Sequence, residues 1–175
     1  MKAEIDGVDV YPMETRRDER GALTEVFRQT WAPETTAVQW NHVVSEPNVL
    51  RGVHAHLVHD DMLTVVAGTM ILGLVDLRPH SPTHGVRACL ELRQTESMVR
   101  IPVGVGHGFY FPDHAAILYA VTAYWDTNDE LGCRWDDPDL GIDFPCTDPL
   151  LSDRDVHAGT LAELQSAVAA RFVTF

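Results

Sequence analysis

Met62-Leu63-Thr64-Val65-Val66-Ala67-Gly68-Thr69-Met70-Ile71-Leu72-Gly73-Leu74-Val75-Asp76-Leu77 holds two short apolar runs, 62–66 and 70–77, on either side of Gly68. Runs of this length, rich in Val, Ile, Leu and Thr and closed by a turn residue, read as β-strands. The same rhythm extends outward to residues 22–28, 36–44, 88–92, 97–101 and 117–123, with Gly, Pro, Asp and His between them at roughly ten-residue spacing. Such a pattern predicts an all-β antiparallel sandwich, jelly roll or barrel. Only the tail departs from it. Thr160 and Glu163 have the spacing of a capping box, and Leu161, Leu164, Val168 and Phe172 recur at helical intervals, which predicts a short C-terminal helix. Pro138, Pro145 and Pro149 punctuate an irregular arm before it. With no repeat or composition shift, residues 1–175 read as a single domain.

The composition excludes several classes of function. A net charge of −13 argues against a nucleic-acid or anionic-membrane partner, because phosphates would be repelled. No apolar run approaches the ~20 residues of a membrane span, and Met1-Lys2-Ala3-Glu4-Ile5-Asp6 lacks the pattern of a signal peptide. Cys89, Cys133 and Cys146 form no CxxC pair, which points to free thiols in a reducing cytoplasm. Lys2 is the only lysine, so an anionic ligand would be held by arginines and no interior lysine offers Schiff-base chemistry.

Leu50-Arg51-Gly52-Val53-His54-Ala55-His56 has two chemically incompatible readings. Either His54 is a general base, or His54 and His56 are metal ligands projecting from one face of a strand. A lone pair committed to a metal cannot also take a proton from carbon.

Further motifs occur in a telling order. Asp18-Glu19-Arg20-Gly21-Ala22-Leu23-Thr24-Glu25 comes first, followed by Gln39-Trp40-Asn41 and Val49-Leu50-Arg51-Gly52-Val53-His54. Val75-Asp76-Leu77-Arg78, Ser81-Pro82-Thr83-His84-Gly85 and the run from Ile101 to Phe109 come next, then Trp135-Asp136-Asp137-Pro138 and Leu151-Ser152-Asp153-Arg154-Asp155. From about residue 10 to about residue 160 the chain resembles the dTDP-4-dehydrorhamnose 3,5-epimerase (RmlC) family of the cupin superfamily. The resemblance implies a cupin-type jelly roll, a homodimer with exchanged N-terminal strands, and an isomerase of deoxysugar biosynthesis that needs no cofactor. Its substrate would be a dTDP-4-keto-6-deoxyhexose, epimerised at C3, C5 or both. His54 matches the base, Asp155 the carboxylate that orients it, and Tyr119 the acid on the opposite face. Arg51 and Arg154 match residues near the sugar and its diphosphate, and His107 matches a second pocket histidine. Gln39 and Asn41 fall in a family motif and are expected at the substrate, as is Trp125 in place of a second pocket tyrosine. Arg20 and Glu25 match the exchanged strand, which would reach the partner subunit's site.

The chain also departs from the family. A family lysine placed to stabilise enolate charge is here Asp61, and the carboxylate partner of the second histidine is here Leu72. An anion beside an enolate opposes its formation unless a metal or an arginine neutralises both. The metal-binding cupin pattern fits the same stretch: His54-Ala55-His56, then Asp61, then Gly68, with Pro102-Val103-Gly104-Val105-Gly106-His107 as its second half. This alternative predicts a metal-dependent isomerase, cyclase or oxygenase with one divalent transition metal ion on His54, His56, Asp61 and His107. A non-catalytic cupin that binds a ligand is the third reading. The remaining loop histidines, His59 among them, are expected in solvent.

Overall fold

The two runs that flank Gly68 lie in different sheets. In the computed structural model, which describes residues 4–172, they are β6 (Asp61–Ala67) and β7 (Thr69–Asp76). Gly68 forms the corner between them with φ +74°, and a β-carbon there would stand 2.5 Å from the His114 carbonyl oxygen, so only glycine fits.

β6 belongs to a five-stranded antiparallel sheet with β1 (Asp9–Pro12), β4 (Gln39–Ser45), β9 (Ser97–Ile101) and β11 (Ala115–Val121), in the order β1-β9-β6-β11-β4. β7 belongs to a second sheet with β5 (Val49–Ala55), β8 (Arg87–Arg93), β10 (Val105–Phe111) and the two-residue β12 (Leu131–Gly132), in the order β12-β5-β10-β7-β8. Consecutive strands that alternate between two facing sheets make the expected jelly roll. A separate hairpin, β2 (Thr15–Asp18) with β3 (Gly21–Thr24), forms a two-stranded sheet that joins neither of the others among the described residues.

β7 reads as a continuous apolar run because both its faces are covered. Met70, Leu72 and Leu74 point between the sheets and pack with Leu63, Val65, Phe111 and Ile117. Ile71 and Val75 point outward beneath Phe144 of the proline-rich arm and beneath Leu161, Leu164 and Val168 of the C-terminal helix α2 (Leu161–Phe172). That helix begins as its sequence predicts: Thr160 N–H donates to Glu163 Oε2 at 2.7 Å and Glu163 N–H to Thr160 Oγ1 at 3.3 Å. Asp137 of the Asp-Asp-Pro turn accepts the Leu161 N–H at 3.0 Å, so that turn is a second brace for the helix. A one-turn helix, α1 (Asp153–Val156), precedes it, capped by Ser152.

Two boundaries differ from expectation. The strand predicted over 22–28 stops at Thr24, because Glu25 and Arg28 close an ion pair across the turn that follows. β5 and β10, whose glycines and histidines break the alternation, are full strands that pair with each other. No helix among the described residues is long and apolar enough to cross a membrane.

Candidate active site

The cavity between the sheets has a volume of about 740 Å³, and β5 carries His54 into its wall. Gly52 makes this possible. Its φ is +124°, and a β-carbon would lie 2.8 Å from both the Gly108 Cα and the His107 carbonyl oxygen on β10. The tight approach of β5 to β10 leaves His54 as the register partner of His107. From α1, Asp155 reaches back to this strand. Its Oδ1 lies 2.7 Å from His54 Nε2, and its Oδ2 accepts from the Gly52 N–H at 3.5 Å. Burial alone would raise the Asp155 pKa, but the bond from His54, with help from Ser152 and Arg154, holds it below the usual carboxylate range. An ionised Asp155 accepts a hydrogen bond from a proton held on Nε2 and so leaves the basic lone pair on Nδ1. Ser152 Oγ accepts from the Asp155 N–H at 3.2 Å and so sets the height of that carboxylate.

Tyr119 lines the same cavity from β11, in the opposite sheet. Burial raises its pKa, the charges of Asp61 and Glu130 raise it further, and Arg51 and Arg154 oppose them. The phenol therefore holds its proton at neutral pH and is suited to donate one. Arg51, Arg154, His107 and Trp125 line the cavity as well. Arg51 donates to Ser45 Oγ at 3.2 Å. Arg154 Nη2 rests against the His54 imidazole, 2.8 Å from Nε2 and 3.2 Å from Nδ1, while Nη1 pairs with Glu130. Glu130 also accepts from Trp125 Nε1 at 2.7 Å, so it ties Trp125 and Arg154 together in the cavity lining. Glu130 went unnoticed in the sequence because it ends an ordinary acidic loop, Asp126-Thr127-Asn128-Asp129-Glu130.

The other expected substrate residues lie further out. Asn41 is the β4 register partner of Tyr119, and its Nδ2 is buried with no acceptor. Gln39 donates to Asn41 Oδ1 at 3.0 Å and accepts from the Trp125 N–H at 3.1 Å. Neither lines the cavity directly. Arg20 and Glu25 are on the hairpin and its exit, paired with Asp18 and Arg28, and the cavity of their own chain does not include them.

Of the four residues in the alternative metal set, the structure gathers three, His56, Asp61 and His107. Among the described residues, donor atoms of His56, Asp61 and His107 gather within 4.8 Å of one another, as do those of His56, His59 and Asp129. His54 is in neither group, because its Nε2 is taken by Asp155. His59, expected in solvent, is 2% exposed and stacks on His56 at 4.2 Å between ring centroids. Burial lowers the pKa of all three inner imidazoles, His56 to about 4 and His107 well below its ordinary value, so they are neutral at pH 7. Burial raises that of Asp61, and the nearby charge of Glu130 adds to it. The cysteines are free, and burial pushes the Cys133 thiol up to about 12, so none of them is a poised nucleophile.

Known proteins place this geometry in a family. The family model described as dTDP-4-dehydrorhamnose 3,5-epimerase matches residues 2–163. A dTDP-4-dehydrorhamnose 3,5-epimerase of Neisseria gonorrhoeae is 37% identical over 164 residues, 89% of this chain; the chain spans only 50% of that relative's length. A dTDP-4-dehydrorhamnose 3-epimerase of Streptomyces niveus is 35% identical over 176 residues, covering 93% of this chain and 84% of the relative. The crystal structure of the Legionella pneumophila epimerase RmlC in complex with dTDP-4-keto-L-rhamnose superposes with a TM-score of 0.88 at 29% identity, covering 97% of this chain and 95% of that one. The jelly roll is thus of the cupin type, and the chain belongs to the dTDP-4-dehydrorhamnose 3,5-epimerase family.

Proposed function

We propose that this chain is a nucleotide-sugar epimerase that inverts C3, C5 or both in a dTDP-4-keto-6-deoxyhexose. The observation that supports the reading most is a carboxylate-oriented imidazole and a protonated phenol lining one cavity from opposite sheets. His54 Nδ1 takes the proton on the carbon alpha to the C4 ketone, and the C–H electron pair moves into an enolate. Tyr119 then gives its phenolic proton to the other face of that carbon, the enolate collapses to the ketone, and the centre is inverted. Arg154 turns from the imidazole to the diphosphate as substrate enters, which uncovers Nδ1, and Arg51 holds the same phosphates. These proton transfers need only the chain's own side chains. The dTDP-sugar class follows from the relatives in Streptomyces niveus and Legionella pneumophila.

In this reading the protein works as a homodimer in the cytoplasm. A two-stranded hairpin with Leu23 64% exposed is marginal in water on its own, and the edge strand β4 bares Trp40 and Val44. A second copy that took the hairpin would cover this surface and bring Arg20 and Glu25 to its own cavity. Three unpaired thiols support a reducing compartment. The test is to incubate the protein with dTDP-4-keto-6-deoxyglucose, trap the ketone by reduction and identify the sugars by NMR. Sugars inverted at C3 or C5 are expected, and recovery of the starting configuration alone, as a non-catalytic binding protein would give, contradicts the proposal.

A further inference from the structure

We propose that His56, Asp61 and His107 form a binding site for one divalent transition-metal ion in the cavity wall. Asp61 Oδ2 faces two imidazoles, His56 Nε2 at 3.7 Å and His107 Nε2 at 3.8 Å, and the three donors lie within 4.8 Å of one another. The distances to Asp61 are too long for hydrogen bonds. They are close to those of ligands around an ion, since donors held about 2.0–2.2 Å from one tetrahedral centre stand roughly 3.3–3.6 Å apart.

The orientation of the rings is the stronger argument. The outer nitrogen of each ring faces an oxygen acceptor: His56 Nδ1 the Asp129 carbonyl at 3.2 Å, and His107 Nδ1 the Val105 carbonyl at 3.2 Å. A proton held on Nδ1 leaves the lone pair on Nε2, the nitrogen on the Asp61 side, and this is the outer-shell arrangement that orients histidine ligands on metals. Asp129 is itself fixed by the backbone N–H groups of Leu57 at 2.7 Å and Val58 at 3.1 Å. His59 stacks on the His56 ring at 4.2 Å between centroids and braces that ligand.

Two imidazole lone pairs and a carboxylate thus gather at one point of the cavity wall. A proton on Asp61 satisfies one imidazole and leaves the other, whereas one cation satisfies all three groups. Two imidazoles and a carboxylate suit zinc, cobalt, iron or nickel, and exclude calcium and magnesium by donor type. His56 and His107 also line the cavity, so the fourth position of the ion is open to whatever the cavity holds.

The test is titration of chelator-treated, tag-free protein with Co²⁺, followed by visible absorption, together with elemental analysis of protein grown with added zinc. Saturation of a d–d band at one equivalent per chain is expected, with about one zinc retained. His56→Gln and Asp61→Asn should each weaken cobalt binding by about 10-fold or more, while His54→Asn leaves it unchanged. Circular dichroism of each variant separates a lost ligand from a lost fold, and the titration of the unaltered protein decides even if a variant fails to fold. No stoichiometric band in the unaltered protein overturns the site, as does binding that a folded His56→Gln protein retains in full. Protein that epimerises the sugar yet binds no cobalt overturns the metal site and leaves the epimerase reading standing.

Discussion

In the proposed reaction Tyr119 has a task that His54 cannot perform, because a base that removes a proton and returns it to the same face restores the starting sugar. Tyr119→Phe is therefore expected to separate the two halves of the reaction. Solvent deuterium still enters the substrate through His54, while formation of the inverted sugar falls about 10²–10⁴-fold. Parallel NMR assays of exchange and of epimer check this, and equal loss of both would remove Tyr119 as the acid. Gly52 acts through geometry alone. A β-carbon at φ +124° pressed against the β10 backbone costs roughly 2–5 kcal/mol, so Gly52→Ala should lower the midpoint of chemical unfolding markedly. A melt indistinguishable from the parent would show that β5 and β10 have room to separate.

At the scale of elements, the strands that were legible in the sequence are those with one chemical duty. β7 shows Met70, Leu72 and Leu74 on one face and Ile71 and Val75 on the other, and all are there to be buried. β5 and β10 carry the site, so Gly52, His54, Gly106, His107 and Gly108 replace the apolar alternation and hide the strands, although the motif residues themselves were readable. His59 was illegible for another reason: the partner that fixes it, Asp129, arrives from a loop far along the chain. The turn after β7 is a structural element whose role is electrostatic. Burial alone would raise the Asp76 pKa, but bonds from Arg78, Ser81 and Thr83 outweigh it and hold it at about 2. A carboxylate with a depressed folded pKa stabilises the fold above its unfolded pKa of about 3.9, and that contribution is lost as pH falls toward about 2. Thermal melts should fall between pH 4 and 2 in the parent, and Asp76→Asn should cost about 2–4 kcal/mol at pH 7 and flatten that acid limb. An unchanged acid limb in the variant would assign the loss to other carboxylates.

At the scale of the whole molecule, the two sheets matter because they bring chemistry from opposite walls into one space. His54 comes from one sheet and Tyr119 from the other, with Arg51 and Arg154 lining the same cavity. In the proposed dimer the exposed hairpin extends the same logic to a second chain. Leu23→Asp and Trp40→Asp should each shift light scattering from the mass of two chains toward the mass of one and lower turnover with it, and a parent protein at the mass of a single chain would contradict the exchanged dimer. The central claim is that His54 is a base acting on carbon alpha to a ketone. It is tested most directly by placing the protein with dTDP-4-keto-6-deoxyglucose in D₂O and following the C3 and C5 proton signals by NMR. The account predicts that one or both signals vanish as deuterium enters and that His54→Asn abolishes the exchange; signals that persist with active-site concentrations of folded protein, or exchange that survives His54→Asn, would contradict it.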